Sequence, residues 1–320
     1  MKLINKLKLL KKAIVNSINI NQTINANNKI LKVEFEKQLI KNQIKYNALY
    51  SSDIGITYQK YFKDKEVIIS LTSYGIRCYD VYMAIESLLE QTIKPNKIIL
   101  WLAEDEFSLD TIPQTLKNLL KRGLTIDFCK DIKQYKKLIP SLIKYPNDII
   151  ITTDDDILQS NDFLENLMNS YKKKSKNIHF CRGHKMKFKE NRELDNYMNW
   201  NFCIKNLIPD RLNFFTGVGG VLYPPNSLYK DVVNEDFFMQ LAPNADDVWF
   251  NAMAIKQGTI SQKVYTHNYY GHEQDYIDID NEAQCSTALF NINCTKNDEQ
   301  IKAVFDRYNI YELLKDVLIK

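Results

Sequence analysis

The sequence lacks the long apolar run that a membrane-spanning helix requires. Nowhere in its 320 residues do about 18 apolar residues follow one another. The first residues are positively charged, as in a signal peptide, but Lys8, Lys11 and Lys12 interrupt any apolar segment behind them. These absences predict a cytoplasmic protein that is not exported and has no transmembrane helix.

Closely spaced cysteines are also lacking. There is no C-x-x-C pair, and no histidine lies at a spacing from a cysteine that suits zinc. The six cysteines are scattered along the chain: Cys78, Cys129, Cys181, Cys203, Cys285 and Cys294. Scattered cysteines are typical of reduced core residues in a cytoplasmic protein.

A strong excess of one charge is absent as well. The net charge of +4 is too small to indicate a nucleic-acid partner. The charge is nevertheless uneven, because residues 1–45 hold ten Lys and two Glu, a net +8, while the rest of the chain carries −4. A basic segment therefore precedes a slightly acidic body.

Apolar residues recur within this basic segment at steps of three and four, at Leu3, Leu7, Leu10, Ile14 and Ile18. The spacing predicts a short amphipathic helix with lysines between its apolar residues. Such a helix suits an anionic membrane surface, and would place the protein peripherally on the inner face of the cytoplasmic membrane. It could equally pack its apolar stripe on the body of the protein or on a second subunit, and the sequence leaves both open.

The chain after residue 66 alternates short apolar runs with amphipathic stretches. The runs predict strands at Val67–Leu71, Lys97–Leu102, Leu124–Cys129 and Asp148–Thr152, with helices between them. This alternation indicates an α/β fold with a Rossmann-like, mostly parallel sheet flanked by helices. Upstream, a helix is predicted at 33–50 after a loose connection at 19–32. We therefore expect a basic helical extension, residues 1–60, before a main domain, residues 61–320.

Three consecutive carboxylates, Asp154, Asp155 and Asp156, follow the last of these predicted strands. Ligands bind at the carboxyl ends of strands in open α/β sheets. An extended backbone would send Asp154 and Asp156 to one side, where they could hold Mg²⁺ or Mn²⁺ and leave positions open for diphosphate oxygens. The alternative is an acidic loop that caps the helix predicted near Asp162.

Five segments, taken in order, carry a resemblance to a known group of enzymes. They read VIISLTSYGIR at 67–77, KPNKIILWLAEDEF at 94–107, YKKLIPSLIKYPNDIIITTDDDI at 135–157, FFTGVGGVLYPP at 214–225 and ADDVWFNAMA at 245–254. Together they resemble the GT-A glycosyltransferases, particularly the family-2-like bacterial enzymes of lipopolysaccharide and capsule synthesis. The resemblance implies a nucleotide-binding half at about 61–157, an acceptor half at about 158–270 and a C-terminal helical tail.

The resemblance also assigns roles around the donor, which it implies to be a nucleotide-diphosphate sugar, expected to be a UDP-sugar. Thr72, Ser73 and Arg77 would line the nucleotide pocket, since hydroxyls can bond uracil or ribose and a guanidinium can meet phosphate. Lys137, rather than Lys136, is expected to face the nucleotide. Asp154 and Asp156 match the D-x-D motif of metal ligands, and Asp155 could bond the ribose or the sugar.

A second acidic pair, Asp246 and Asp247, opens a predicted helix. In inverting members of the group an acid in this region deprotonates the acceptor hydroxyl, and Asp247 matches that position best. The alternative is a helix cap, and both readings could hold, with Asp246 capping and Asp247 acting as the base. A late metal ligand is expected at His267 or His272.

Other features have a structural and a functional reading. His179 and His184, on either side of Arg182, could border the donor sugar. Gly217–Gly220 lacks the Lys-Ser/Thr ending of a phosphate loop and could allow a sugar to approach the backbone. Nearby aromatics could stack on sugars or form a core cluster: Phe214, Phe215, Tyr223 and Trp249.

The sequence therefore predicts a metal-dependent, inverting and non-processive hexosyltransferase with a saccharide or lipid-linked saccharide acceptor. The Q-x-x-R-W signature of processive synthases is absent, as is the H-x-x-G-x-x-K-P-W pattern of a large retaining family. A nucleotidyltransferase is the first alternative, although the segment after the first strand has only one Gly and one Arg where such enzymes carry a glycine-rich basic loop. A non-catalytic sugar-binding module is the second.

Overall fold

The computed structural model describes residues 2–62, 64–266, 276–279 and 289–315, with side chains described from residue 22 and, in the last segment, from residue 296. The N-terminal half forms these elements: α1 Lys2–Tyr50, β1 Val67–Thr72, α2 Val81–Leu89, β2 Lys97–Ala103, α3 Gln114–Leu120, β3 Leu124–Cys129, α4 Ile139–Lys144, β4 Ile149–Thr152 and β5 Ile157–Gln159. The predicted strands are therefore confirmed to within a residue or two.

The second half has shorter strands. Its elements are α5 Phe163–Lys173, β6 Ile178–Phe180, β7 Gly183–Lys185, β8 Asn213–Phe215, β9 Val221–Tyr223, α6 Glu235–Leu241, α7 Asp246–Gln257, β10 Ser261–Lys263, β11 Tyr276–Asp278, α8 Leu289–Tyr308 and α9 Ile310–Lys315. Two of its strands pair into a separate ribbon, β7 with β8, and β11 pairs with β5.

A seven-stranded sheet in the order β10-β6-β9-β4-β1-β2-β3 forms the centre of the protein. All neighbouring pairs are parallel except the two that involve β9. The predicted α/β class with a mostly parallel sheet is thus confirmed. Since β1 lies between β2 and β4, the carboxyl ends of these three strands meet at one edge.

Both faces of this sheet are covered, which explains the uninterrupted apolar runs. Alternate residues of a strand point to opposite faces. Ile68 and Ile150 therefore join the cluster packed with α6, α7 and α8, whereas Ile69 and Ile151 join the cluster packed with α2, α3 and α5. All four are almost completely buried.

The N-terminal segment corrects one prediction. The loose connection expected at 19–32 is absent, because α1 continues unbroken from Lys2 to Tyr50. Asparagine is a poor helix former but not a helix breaker, and no Gly or Pro occurs before Gly55. Near its end α1 packs on α2 and α3 through Ile44 and Ala48. Of the described helices, none has the length and apolar character to cross a membrane.

Candidate active site

A cavity of about 980 Å³ opens at the carboxyl ends of β1, β2 and β4. Its walls come from the segment after β1, the acidic triplet after β4, the turns around β6–β8 and the start of α7. This is the edge at which an open α/β sheet binds its ligands. The sequence-predicted residues Thr72, Arg77 and Lys137 line it, together with both acidic groups.

The first strand and the acidic triplet meet directly, as expected of neighbouring parallel strands. Arg77, in a short 3-10 turn after β1, donates from Nη2 to Asp155 Oδ1 and to Asp156 Oδ2, each at 2.6 Å. Ser73 donates its hydroxyl to Asp155 Oδ2 at 2.6 Å. Thr72 uses its hydroxyl to bond the Trp101 carbonyl at 2.8 Å. Arg77 therefore pairs with two carboxylates of the triplet in this structure, where the sequence suggested a contact with phosphate.

Lys137 joins the two acidic groups, which are some ninety residues apart in the chain. Its Nζ lies 3.1 Å from Asp154 Oδ1 and 2.9 Å from Asp246 Oδ2. The hydroxyl of Ser70 on β1 donates to the Lys137 carbonyl at 2.6 Å, so the sheet fixes the backbone at this point. Lys136 also lines the cavity, but its side chain pairs with Asp131.

Gly217 makes room for this arrangement. A Cβ at this position would lie 2.5 Å from Lys137 Nζ, so any side chain would push the lysine from its place. The Gly217 N–H donates to Asp247 Oδ1 at 2.9 Å, which orients the carboxylate that opens α7. At Gly217 the group that approaches the backbone closely is therefore Lys137, where the sequence suggested a sugar.

Asp247 lies where α7 begins, partly exposed to the cavity. Burial, followed by the neighbouring Asp246 charge, raises the pKa of Asp247 to about 7. The expected N-terminal cap is not formed by Asp246, because Ala245 is the N-cap residue and the Asp246 carboxylate contacts Lys137. The capping interpretation of Asp246 is thus wrong, and Asp247 is left facing the pocket.

The triplet carries more negative charge than the nearby cations balance. Burial and the charges of Asp154 and Asp155 raise the pKa of Asp156 to about 6. Burial lowers the pKa of Lys137, but the carboxylates of Asp154 and Asp246 outweigh it, so that the net shift is upward. Five carboxylates thus share two ion-paired cations, Arg77 and Lys137.

The donor set fits a hard divalent cation. Asp154 and Asp156 are partly exposed to the cavity, with side-chain exposures of 23% and 28%. In the part of the chain that is described, no group of three or more His, Cys, Asp and Glu is arranged to hold a metal alone. Two carboxylates are what Mg²⁺ or Mn²⁺ takes when substrate phosphates supply further ligands. His267 and His272 lie outside the described residues.

The remaining sequence candidates separate into core and pocket residues. His179 is buried away from the cavity, with Nδ1 2.9 Å from Ser170 Oγ and Nε2 3.0 Å from the Lys174 carbonyl, so its role is structural. His184 and Phe214 line the cavity. All four aromatics are almost completely buried in the large core cluster behind it: Phe214, Phe215, Tyr223 and Trp249.

Two residues that hold the site's segments together were not predicted from the sequence. Tyr135 donates its hydroxyl to the Ala242 carbonyl at 2.6 Å and so ties the segment before Lys137 to the loop before α7. Asn251 donates to the carbonyls of Phe215 and Asp247, both at 2.8 Å, and holds α7 against β8. In the sequence, only the closeness of Tyr135 to Lys137 and of Asn251 to Asp247 could have indicated this role.

Comparison with known proteins shows a likeness of fold. No family model and no curated protein matches the sequence. Residues 1–349 of S. aureus TarS match with 15% identity and a TM-score of 0.42, over 64% of this chain and 58% of that one. The mannosyltransferase PcManGT from Pyrobaculum calidifontis, solved with GDP-mannose and Mn²⁺, matches with 14% identity and a TM-score of 0.31, over 48% and 45%.

A structure of another class is also similar. The CMP:2-keto-3-deoxy-manno-octonic acid synthetase, complexed with CTP, matches with 10% identity and a TM-score of 0.38, over 62% of this chain and 89% of that one. The chain thus spans about half the length of the two transferase structures. These matches concern the fold alone.

Proposed function

We propose that this protein is a metal-dependent, inverting glycosyltransferase that moves a sugar from a nucleotide-diphosphate sugar to a saccharide acceptor. One observation carries the proposal. The acidic triplet after β4 and the acidic pair that opens α7 face one cavity and meet on the buried Lys137. A carboxylate group for the donor and a separate carboxylate for the acceptor would thereby lie close together in one cavity.

The donor would enter along the edge formed by β1 and β2. Thr72, the last residue of β1, lines this edge, whereas Ser73 is buried with its hydroxyl on Asp155. The diphosphate would then reach the triplet. Asp154 and Asp156 would hold Mg²⁺ or Mn²⁺ there. When bound, such a cation neutralises charge on the departing nucleotide diphosphate.

Asp247 supplies the base in this scheme. Its carboxylate takes the proton of the acceptor hydroxyl while that oxygen forms a bond to the anomeric carbon. The bond between the anomeric carbon and the phosphate oxygen breaks, and the nucleotide diphosphate leaves with the electron pair. The hydrogen bond from the Gly217 N–H keeps the carboxylate in place. Attack on the face opposite the leaving group inverts the anomeric centre.

Several finer assignments belong to the same proposal and come from the family resemblance. They are UDP as the nucleotide, a hexose as the transferred group, and an acceptor in lipopolysaccharide or capsule synthesis. Contact of the basic α1 with the cytoplasmic face of a membrane is a further part of it, supported by the excess of lysine in residues 1–45.

The direct test is release of nucleotide from a panel of nucleotide sugars by the purified chain. We expect turnover with Mn²⁺ or Mg²⁺ and its loss on addition of EDTA. Turnover that EDTA does not affect would contradict the metal assignment. Formation of a nucleotide sugar from a nucleoside triphosphate would instead support a nucleotidyltransferase, and binding of sugars without any turnover would support a non-catalytic module.

A further inference from the structure

The cavity has a second cationic wall, formed by Arg182 after β6. Arg182 lines the cavity and is partly buried. Its Nη1 lies 3.2 Å from Thr216 Oγ1. No ion pair of Arg182 occurs within residues 22–62, 64–266, 276–279 and 296–315. A guanidinium has five N–H donors, so most of its donors are left for a ligand.

Three other cations of the cavity are held by carboxylates. Arg77 bridges Asp155 and Asp156, Lys137 bridges Asp154 and Asp246, and Lys136 pairs with Asp131. Lys133 also lines the cavity, but it is exposed to solvent. A partly buried guanidinium without a carboxylate therefore differs from its neighbours, although carboxylates are abundant in this pocket. Planar guanidinium groups recognise carboxylates and phosphates through paired hydrogen bonds.

The order of the strands places Arg182 on the saccharide side. In the sheet β1 lies on one side of β4, while β9 and then β6 lie on the other. A nucleotide near Thr72 would put its diphosphate at the end of β4 and direct the sugar towards β6. Arg182 then lies beyond the diphosphate, where the reacting sugars meet.

The rest of this wall is apolar or neutral. Tyr197 and Phe214 line it but are 8% and 1% exposed, so they support the wall as core residues. His184, two residues after Arg182, accepts the Cys203 N–H on Nδ1 at 3.1 Å. Burial and the nearby Arg182 charge lower the pKa of His184 to about 3, so this ring stays neutral and Arg182 is the cation of the wall.

We propose that Arg182 binds an anionic group, a carboxylate or a phosphate, on the acceptor saccharide. The acceptor is accordingly an acidic sugar. This inference rests on the proposed function for the identity of the ligand as a saccharide, whereas the anion site itself rests on the contacts of Arg182.

The test titrates three sugars into the full chain: sodium glucuronate, glucose 6-phosphate and methyl glucoside. Affinity is measured by saturation-transfer NMR. At least one acidic sugar should bind about tenfold more tightly than methyl glucoside, the effect of one charge-assisted contact. Arg182→Gln should remove the preference, and Arg182→Lys should retain part of it because the charge remains without the planar fork. The acidic sugar that binds more tightly identifies the anion as carboxylate or phosphate.

Arg211→Gln is the matched control, since Arg211 is partly exposed and does not line the cavity. Acidic sugars that bind no better than methyl glucoside, or a preference that survives Arg182→Gln, would overturn the proposal. A greater loss of UDP affinity than of acidic-sugar affinity in Arg182→Gln would do the same, because Arg182 would then serve the donor. If Arg182→Gln does not fold, a full preference in Arg182→Lys overturns it.

A separate titration with UDP and Mg²⁺ isolates the proposed function. Should UDP fail to bind while the acidic preference depends on Arg182, the glycosyltransferase assignment fails and the anion site stands. Should UDP bind while the preference for acidic sugars is absent, the anion site fails and the glycosyltransferase assignment stands.

Discussion

The two walls of the cavity differ in how their cations are held. On the wall made by β1 and β4, Arg77 and Lys137 each contact two carboxylates. On the wall made by β6 and β8, Arg182 contacts the hydroxyl of Thr216, and the described residues give it no carboxylate. The first wall, where we propose that the metal and diphosphate bind, therefore has its cations paired with the protein's own carboxylates, while the Arg182 guanidinium of the second wall is available for the proposed anion.

The largest effect on the rate of transfer is expected at Asp247, the proposed base. Asp247→Asn keeps the shape of the side chain but removes the base, so transfer should fall about 100- to 10,000-fold. Nucleotide binding should persist, because the donor contacts lie on the β1 side. Asp236→Asn, an exposed residue of α6, is the matched control. Transfer at the normal rate by Asp247→Asn would show that another group takes the proton.

A smaller effect is expected at Asp156, on binding and not on the proton transfer. Asp156→Asn removes one of the two proposed metal ligands and should weaken Mn²⁺-dependent nucleotide binding about tenfold or more. Calorimetry of UDP binding with and without Mn²⁺ measures it, and Asp110→Asn in an exposed loop serves as control. An unchanged stimulation by Mn²⁺ would remove Asp156 from the metal site.

The pH dependence of transfer should follow the ionisation of Asp247, separately from nucleotide binding. Asp247 acts as a base only when ionised, and its pKa is raised to about 7. The kcat/KM for the acceptor should therefore rise about tenfold per pH unit below that value and level off above it. Nucleotide affinity measured at each pH separates this limb from titration of the triplet. A flat profile across neutrality, at constant nucleotide affinity, would contradict the assignment.

The smallest effect is expected at Gly217, because Gly217→Ala removes no charged group and only displaces the Lys137 side chain. Gly217→Ala would bring a Cβ within 2.5 Å of Lys137 Nζ. Because φ at Gly217 is not positive, the cost comes from this contact and not from the backbone. We expect a loss of about 1 kcal/mol in the free energy of unfolding. Denaturant titration measures it, and a similar loss in a Lys137→Ala background would mean that Lys137 is not the cause.

The strands of the first wall could be predicted because they are long and apolar. Val67–Thr72 and Ile149–Thr152 are buried on both faces, so their sequences contain almost no polar interruption. The position of Asp154 and Asp156 at a strand end followed from the same pattern. The contacts of these carboxylates could not be predicted in the same way. The bridge from Asp154 through Lys137 to Asp246 joins segments that are far apart in the sequence, and no local pattern indicates it.

The second wall was less predictable for a physical reason. Its strands β6, β7, β8 and β9 have three residues each, too few to show a period. His179 lies on β6 and His184 on β7, and no local sequence pattern distinguishes the core position of the first from the cavity position of the second. The continuous α1 was missed because its middle is rich in asparagine, a weak but tolerated helix residue.

The most direct test of the account is the position of a metal in crystals of the chain grown with UDP and Mn²⁺. The account predicts an anomalous peak within about 2.5 Å of carboxylate oxygens of Asp154 or Asp156, with diphosphate oxygens completing the coordination. Nucleotide bound at the β1 edge without a metal at the triplet, or a metal held elsewhere in the chain, would contradict the central claim.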